Sequence, residues 1–269
     1  MNYQMLVLDI DGTLTNSKKE ISEKTKNALL DLQKRGIKLV LASGRPTAGM
    51  LKYAETLQLK DFGNYILSYN GARITNLETG ETVYNRTLPE EAIPELFEIA
   101  KAHNVGLVTY DPENNAVTGM EPDLYMIHEA KINGLPLKQL DNFVQYIDFP
   151  VNKCLMTGEP EVLESLIPVI QNRFHGLINA YRSEPFFLEI TPNNIDKAHS
   201  LLKLLTSLGL TPDQMICCGD GYNDISMLVC AGLGVAMANA QPPVKEIADV
   251  ITLSNDEDGL LPVIETYFK

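Results

Sequence analysis

The sequence is poor in the residues that build disulfide frameworks and zinc sites. Its 269 residues include only four cysteines and four histidines. The cysteines, Cys154, Cys217, Cys218 and Cys230, show no C-x-x-C spacing, and the histidines are scattered along the chain. A disulfide-stapled or zinc-stabilised fold is therefore not expected. We expect reduced, buried thiols, with Cys217 and Cys218 on opposite faces of one strand.

Basic residues and long apolar runs are also scarce. Lysine and arginine number 22 against 35 acidic residues, which gives a net charge of -13. Nucleic-acid affinity depends on basic patches that neutralise phosphates, so we expect no nucleic-acid partner. No apolar run approaches the length of a membrane span, and the first residues lack the charged and then apolar pattern of a signal sequence. We therefore expect a cytoplasmic protein without a membrane partner; the oligomeric state stays unknown.

A dinucleotide-binding fingerprint is absent too, because no strand is followed by a G-x-G-x-x-G that opens a helix. A dinucleotide-dependent oxidoreductase is therefore not expected. Hydrophobic residues make up 45% and charged residues 21% of the chain, which is ordinary for a folded protein. The length allows a sizeable core in one large domain or two smaller ones.

What the sequence does contain is organised around its first apolar stretch, MLVLDIDGTL, at residues 5–14. The uninterrupted apolar run is typical of a central parallel strand buried on both faces. Asp9 and Asp11 follow it directly, where open α/β sheets bind ligands. Two carboxylates at this position repel each other and lose hydration, so they need a compensating cation. Mg²⁺ fits best, although Asp and Gly also form ordinary turns.

A second strand follows at the spacing of a βαβ unit. Ser22 is predicted to cap a helix, and the next apolar run, within residues 37–45, predicts a strand parallel to the first. This strand ends in Ser43 and Gly44, whose hydroxyl and amide groups can donate to a phosphate oxygen. Ser43 can equally cap the helix predicted at residues 47–57.

The pattern of predicted strands and helices changes in the middle of the chain. A third strand is predicted at residues 65–73, with a turn at Asn70 and Gly71. Residues 82–190 then show short amphipathic strands and helices, with a polar loop at about residues 134–151. Because these elements do not alternate as regular βαβ units, they indicate an inserted α+β domain with an antiparallel sheet. We therefore predict an α/β fold with a doubly wound, Rossmann-like parallel sheet in residues 1–81 and 191–269, interrupted by this α+β cap.

Two further polar groups lie after residue 190, where alternating strands and helices are predicted again. Lys197 lies near the start of a helix that Gly209 closes, against the helix dipole, which favours a functional role. The stretch MICCGDGYNDISML, at residues 215–228, predicts an apolar strand and then an acidic loop that opens a helix. Asp220 and Asp224 in this loop are expected at the same sheet edge as Asp9, although acids also cap helices.

Together these segments resemble the haloacid dehalogenase superfamily of phosphotransferases. DIDGTL is similar to its first motif, ASGR to its second, the lysine of NIDKAHSL to its third and GDGYNDISML to its fourth. The resemblance spans the chain, and the insert resembles the type IIB cap of the Cof-type sugar-phosphatase branch. Ala198 stands where many relatives have glycine, and Asn193 and Asn194 occupy positions often held by smaller residues. These departures put the loop shape in doubt and leave Lys197 in place.

The resemblance implies a Mg²⁺-dependent phosphatase that hydrolyses small phosphorylated metabolites, sugar phosphates above all, through an aspartyl-phosphate. Asp9 would be the nucleophile. Asp11 would be the general acid and base, which requires its pKa to be raised, by acidic neighbours and partial burial. The implied Mg²⁺ ligands are Asp9, Asp11 through its backbone carbonyl, Asp220 and Asp224, and the implied phosphate ligands are Ile10 through its amide, Ser43, Gly44, Lys197 and Asn223.

Substrate selection would then come from the cap, whose closure would exclude bulk water. The candidates by position and polarity are Arg45, Asn70, Tyr110, Tyr181, Arg182 and Glu184; ordinary surface or hairpin roles stay open for each. Two other functions also stay open. A sugar phosphomutase would need the cap to protect the aspartyl-phosphate from water, and a non-catalytic sugar-phosphate sensor would require the loss of a catalytic group.

Overall fold

A computed structural model describes residues 3–269, which divide into two compact units. Unit 1 is formed by two separate segments, one ending at Tyr84 and the other spanning Asp196–Lys269. Unit 2 is the continuous stretch Asn85–Ile195 between them. Both boundaries lie a few residues beyond the predicted ones. Within the described range, no helix is both long and apolar enough to cross a membrane.

Strands and helices alternate through most of the chain. The strands are β1 (Met5–Leu8), β2 (Lys38–Ala42), β3 (Tyr65–Ser68), β4 (Arg73–Asn76), β5 (Thr82–Asn85), β6 (Gly106–Tyr110), β7 (Ala116–Thr118), β8 (Leu137–Gln139), β9 (Cys154–Thr157), β10 (Ile178–Glu184), β11 (Phe187–Pro192), β12 (Met215–Gly219), β13 (Leu233–Ala236) and β14 (Val250–Ile251). The helices are α1 (Glu23–Lys34), α2 (Thr47–Thr56), α3 (Ala92–Ala102), α4 (Leu124–Asn133), α5 (Phe143–Tyr146), α6 (Pro160–Arg173), α7 (Lys197–Leu208), α8 (Ile225–Cys230), α9 (Pro242–Ile247) and α10 (Leu260–Tyr267).

Unit 1 is built on a sheet with the strand order β14-β13-β12-β1-β2-β3-β4-β5. The N-terminal strand lies inside it and pairs in parallel with both β12 and β2, so that Met5 aligns with Met215 and with Lys38. The parallel-rich α/β architecture predicted from the sequence is confirmed. The predicted strand at the start of the cap is instead β5, an edge strand of this sheet, which accounts for the later boundary.

Side chains of β1 and β12 alternate between two apolar clusters on the two faces of this sheet. Leu6 and Cys218 lie in one cluster, and Val7 and Cys217 lie in the other. The prediction that the two adjacent cysteines point to opposite faces is thus confirmed. Cys230 is only half-buried, because it lies at the end of the short surface helix α8 and not inside a strand.

The ends of several helices follow local sequence signals. The Ser22 hydroxyl accepts a hydrogen bond from the backbone N–H of Thr25, 3.1 Å away, and caps α1 as predicted. Gly209, at a φ of 67°, ends α7 in the left-handed conformation that glycine tolerates. Ser43 does not cap α2, whose N-cap is Pro46. The alternative structural role of Ser43 was therefore wrong.

The turn predicted at Asn70 and Gly71, within the strand predicted at residues 65–73, is confirmed. A turn at Tyr69–Gly71 divides this strand into β3 and β4, which pair antiparallel. All three turn residues have positive φ, at 54° for Tyr69, 54° for Asn70 and 100° for Gly71. The chain reverses here because this left-handed conformation cannot continue a strand.

Unit 2 contains a second sheet, with the order β10-β11-β9-β6-β7-β8 and mainly antiparallel pairing. One face packs its apolar side chains in a cluster with residues of α3 and α6. The polar loop predicted at about residues 134–151 contains β8 and α5. Its anchor is Phe143, which is 1% exposed and lies 5.2 Å from the ring of Phe97.

Candidate active site

Three parallel strands of unit 1 end at the same edge of the sheet. Asp9 follows β1, Ser43 follows β2, and Asp220 follows β12. Because β1 lies between β2 and β12, its terminal carboxylate is placed between the other two strand ends. Loops after the carboxyl ends of parallel strands line the ligand-binding crevice of such sheets. This edge is therefore the candidate active site.

Lys197 is buried at the centre of this edge. It is the first residue of α7, and its side chain has no exposed surface. Its Nζ donates to Asp9 Oδ1 at 2.7 Å, to Asp224 Oδ1 at 2.6 Å and to the carbonyl oxygen of Ala42 at 2.8 Å. Burial alone would lower the pKa of Lys197, but the carboxylates of Asp224 and Asp9 raise it. The ammonium group is therefore charged and fixed in three directions.

Asp9, Asp220 and Asp224 each place one carboxylate oxygen within 4.8 Å of the others. Burial, followed by the charge of Asp224, raises the pKa of Asp9 against the opposing effect of Lys197. Burial also raises the pKa of Asp220 to about 6, although Thr13 Oγ1 donates to Asp220 Oδ1 at 2.8 Å. Three carboxylates therefore face one ammonium group. A cluster of this kind, rich in oxygen donors and short of positive charge, fits a hard divalent cation such as Mg²⁺.

The loop after β12 is shaped by the second oxygen of Asp224. Asp224 Oδ2 accepts hydrogen bonds from the backbone N–H groups of Asp220 and Gly221, both at 2.9 Å. Gly12, at a φ of 88°, lies so close to the Asp220 carboxylate that a Cβ there would collide with it. These contacts fix the position of Asp220 from both sides, which explains why the first motif needs a glycine at this point.

Asp11 lies apart from the carboxylate cluster. Its carboxylate accepts hydrogen bonds from Arg45 Nε at 2.6 Å, from an Arg45 terminal nitrogen at 2.9 Å and from Lys19 Nζ at 2.8 Å. Burial would raise the pKa of Asp11, but the hydrogen bonds and charge of Arg45, joined by Lys19, lower it to about 2. The prediction of a raised pKa was therefore wrong for this structure. Two paired cations outweigh burial and the acidic neighbours on which the prediction was based.

The expected phosphate ligands lie near the start of the second motif loop. Ser43 is buried, and its hydroxyl accepts a hydrogen bond from the backbone N–H of Arg45 at 3.2 Å. Gly44 lies beside the Asn70 carboxamide, since a Cβ on this glycine would be 3.0 Å from Asn70 Nδ2. Asn223 Nδ2 in turn donates to Asn70 Oδ1 at 3.0 Å. Ile10, whose side chain is fully buried, follows Asp9 directly.

The candidates for substrate selection are divided between the units. Arg45 and Asn70 lie in unit 1, beside Asp11 and Asn223 respectively. In unit 2, the Tyr110 hydroxyl donates to Glu129 Oε1 at 2.5 Å and is buried. The three remaining candidates lie on β10. They are Tyr181, Arg182, which pairs with Glu164 at 2.9 Å, and the exposed Glu184.

Several residues of the site did not emerge from the sequence. Thr13 donates to Asp220, and Asn239 Nδ2 donates to the carbonyl oxygen of Gly12 at 2.8 Å. Lys19 pairs with Asp11. Thr13 belongs to the first motif and could have been named from it. Asn239 and Lys19 reach the site only through loop geometry, for which the sequence offers no local signal.

Comparison with known proteins gives consistent matches over nearly the whole chain. The family model of haloacid dehalogenase-like hydrolases matches residues 6–264. A haloacid dehalogenase-like hydrolase from Bacteroides thetaiotaomicron is 48% identical, with a TM-score of 0.95, over 98% of this chain and 99% of its own. A structure from Thermotoga maritima is 30% identical, with a TM-score of 0.87, over 98% and 97%. The 5-amino-6-(5-phospho-D-ribitylamino)uracil phosphatase YcsE of Bacillus subtilis is 30% identical over 98% of this chain and 95% of its own.

Proposed function

Since this chain belongs to the haloacid dehalogenase-like hydrolase family and is a phosphatase of its Cof-type branch, we propose that it hydrolyses small phosphorylated metabolites, sugar phosphates foremost, with Mg²⁺ as its cofactor. The observation that carries this proposal is the buried ammonium group of Lys197, which joins Asp9 to Asp224 beside Asp220. A carboxylate that attacks a phosphate dianion must overcome like-charge repulsion, and fixed cations at the attacking group reduce that repulsion.

We assign the nucleophilic attack to Asp9. Lys197 holds Asp9 Oδ1, so the attacking atom is Oδ2. In the first step a bond forms between Oδ2 and phosphorus while the bond from phosphorus to the ester oxygen breaks. Water then attacks the phosphorus of the aspartyl-phosphate, the bond to Oδ2 breaks, and inorganic phosphate leaves. Hydrolysis is thereby divided into two displacements with lower barriers than a single one.

We assign the proton transfers to Asp11. A protonated Asp11 gives its proton to the departing alkoxide in the first step and takes one from the attacking water in the second. Asp11 is bound to Arg45 and Lys19 in this structure, and a carboxylate in such a pair does not hold a proton at neutral pH. The assignment therefore requires that substrate binding separate Asp11 from Arg45 and Lys19.

The residues that would hold Mg²⁺ are Asp9, Asp220 and the backbone carbonyl of Asp11, with Asp224 completing or orienting the site. When bound, Mg²⁺ supplies positive charge next to the transferring phosphoryl oxygens. Lys197 supplies a further positive charge, at Oδ1 of Asp9. The phosphate itself would be held by Ser43, Gly44 and Asn223, with the amide of Ile10.

The substrate class depends on residues other than those assigned to the phosphoryl group. The residues named so far would contact only the phosphoryl group, so selection among substrates would fall to other residues. The candidates are Arg45 and Asn70 of unit 1 and Tyr110, Tyr181, Arg182 and Glu184 of unit 2. The relative YcsE is named for a phosphorylated ribityl compound, a small metabolite with a polyol chain. This supports small phosphorylated sugars and polyols as the substrates to test first.

The experiment is phosphate release from a panel of sugar phosphates, nucleotides and an aryl phosphate, with and without Mg²⁺. The wild type is compared with Asp9→Asn and with Asp61→Asn, an exposed aspartate that serves as a matched control. We expect Mg²⁺-dependent release by the wild type and the control, and none by Asp9→Asn. Release that persists in Asp9→Asn would remove Asp9 as the nucleophile. Isomerised sugar phosphates without phosphate release would favour a mutase.

A further inference from the structure

The turn Tyr69–Gly71 is the most unusual piece of backbone in unit 1. Three successive residues have positive φ, and the first is a tyrosine, for which this conformation is a genuine outlier. A non-glycine residue in this conformation is strained, so the conformation persists only where the surroundings impose it. Such strain tends to occur at functional sites, and the contacts of this turn show what imposes it.

The first contact is with the second motif loop. The backbone N–H of Asn70 donates to the carbonyl oxygen of Ser43 at 3.0 Å, and that of Tyr69 donates to the carbonyl oxygen of Arg45 at 3.0 Å. Gly44, between these two acceptors, lies against the Asn70 side chain. The turn therefore fixes the loop whose hydroxyl and amide groups are proposed to bind phosphate.

The second contact is with the start of α7. A Cβ on Gly71 would collide with the carbonyl oxygen of Asp196 and would lie 2.8 Å from Ser200 Oγ. Asp196 caps α7 by accepting a hydrogen bond from the backbone N–H of His199 at 2.7 Å. Lys197 is the next residue after this cap. The close approach at Gly71 thus places the turn directly against the backbone that positions the buried lysine.

The third contact is with the loop after β12. Asn70 Oδ1 accepts the hydrogen bond from Asn223 Nδ2 at 3.0 Å. Asn223 has a largely exposed side chain, which without this partner would be free to rotate. With one amide hydrogen directed to Asn70, the orientation of the whole carboxamide is set.

We infer that Asn70 is a positioning residue of the phosphate site, which acts by orienting the Asn223 carboxamide from a strained turn that also fixes the Ser43–Arg45 loop. Asn70 was a candidate for substrate selection, and this inference gives it a different role. It rests on the proposed function, because it assigns phosphate binding to Asn223. The left-handed conformation is what allows Asn70 to present its backbone N–H to one loop and its side chain to another.

The test is a double-mutant cycle with Asn70→Gly and Asn223→Ala. Glycine keeps the positive φ and removes only the carboxamide. Two quantities are measured for each protein: the Kd of inorganic phosphate by calorimetry with Mg²⁺, and KM and kcat for an aryl phosphate. We expect Asn70→Gly to raise the Kd and KM about tenfold, as for one lost hydrogen bond. The double variant should bind phosphate no more weakly than Asn223→Ala alone.

The control is Asn104→Gly, which replaces another asparagine of positive φ, 53°, in unit 2. Asn104→Gly should change neither the Kd of phosphate nor the KM of the aryl phosphate. An unchanged Kd in Asn70→Gly, or effects of the two substitutions that multiply in the double variant, would overturn the inference. Phosphate binding without hydrolysis by the wild type would count against the proposed function alone, because the cycle can still be completed with inorganic phosphate. A wild type that does not bind phosphate would overturn both.

Discussion

Each of the two units buries a lysine, and the two lysines resemble each other closely. Lys197 of unit 1 is 0% exposed and Lys153 of unit 2 is 3% exposed. Burial alone would lower the pKa of each, and carboxylates raise it in both cases. Lys153 Nζ lies 3.0 Å from Glu189 Oε2 and 5.6 Å from the centre of the Tyr110 ring. A buried ammonium group is therefore not by itself the mark of the active site.

The two buried lysines differ in the number of carboxylates around them and in the hydrogen bonds that those carboxylates accept. Beside Lys153, Glu129 accepts hydrogen bonds from the Tyr110 hydroxyl and from Asn133 Nδ2, at 2.5 and 2.8 Å. Beside Lys197, burial raises the pKa of Asp9 and of Asp220. Two carboxylates surround the ammonium group in unit 2, whereas three surround the one in unit 1, so unit 1 has the greater excess of negative charge. Such an imbalance typically indicates a place where a cation and a substrate bind.

The largest expected effect is a difference in phosphate release between variants of the two lysines. Lys197→Met removes the cation that holds the nucleophile, so phosphate release should fall by about 10³-fold or more. Lys153→Met should keep kcat within a few-fold of the wild type. Steady-state phosphate release by the two folded variants checks this contrast. Equal losses in both variants would contradict the distinction between the units.

The next effect concerns the free energy of unfolding and the ion pair of unit 2. Lys153→Met leaves Glu189 buried without its partner, which should lower the free energy of unfolding by about 3–5 kcal/mol. Replacing both residues by methionine should recover most of that loss, because an apolar pair of similar volume needs no charge compensation. Denaturant unfolding of the single and double variants measures both values. A double variant as unstable as the single one would show that the pair is not the cause.

Metal removal tests whether the excess negative charge in unit 1 binds Mg²⁺. EDTA should stop phosphate release and Mg²⁺ should restore it. Mg²⁺ at a hundred times its Kd should also raise the free energy of unfolding by about 2.7 kcal/mol, which thermal unfolding detects as a higher Tm. Asp220→Asn should lose this stabilisation, whereas Glu113→Gln, at an exposed glutamate of unit 2, should retain it. Stabilisation that survives in Asp220→Asn would place the ion elsewhere.

The smallest effect is a pH dependence of the metal-free protein. The folded pKa of Asp220, about 6, lies above the ordinary value of 3.8, so the folded state holds this proton more tightly than the unfolded state. The resulting stability is present below about pH 4 and is lost as the pH rises through 6. We expect a decline of about 1–2 kcal/mol between these values that is missing in Asp220→Asn. Urea unfolding in EDTA at a series of pH values would show it, and identical profiles would contradict it.

The parts of the site that could be predicted from the sequence are those with a local signal. Asp9 and Asp220 each follow an apolar run directly, and parallel pairing of β1 with β12 brings them to one edge. The pKa of Asp11 could not be predicted in this way. It depends on Arg45, a residue on a different loop, and a long-range ion pair leaves no periodic pattern in a sequence.

The same distinction applies to the fold. Apolar runs and helix caps predicted the central strands and the start of α1. Strand β5 was correctly predicted as a strand but wrongly placed in the cap, and helix α5 was not predicted. Which sheet an edge strand joins depends on pairing across the fold, which leaves no local pattern in the sequence. Helix α5 depends on such distant contacts, since the Phe143 ring lies 5.2 Å from that of Phe97 within the apolar cluster of unit 2.

The parallel pairing of β1 with β12 also has a consequence for the order of events during synthesis. The ribosome makes β1 first, yet its partner strand, beginning at Met215, emerges only after the whole of unit 2 has been made. Asn85–Ile195 is continuous and can fold while the chain is still growing, since domains generally fold as units. Unit 1 has to wait for its second segment, and closing so distant a strand pair is intrinsically slow. The nascent chain therefore holds a complete unit 2 while Asp9 still lacks Lys197 and Asp220, which are made later.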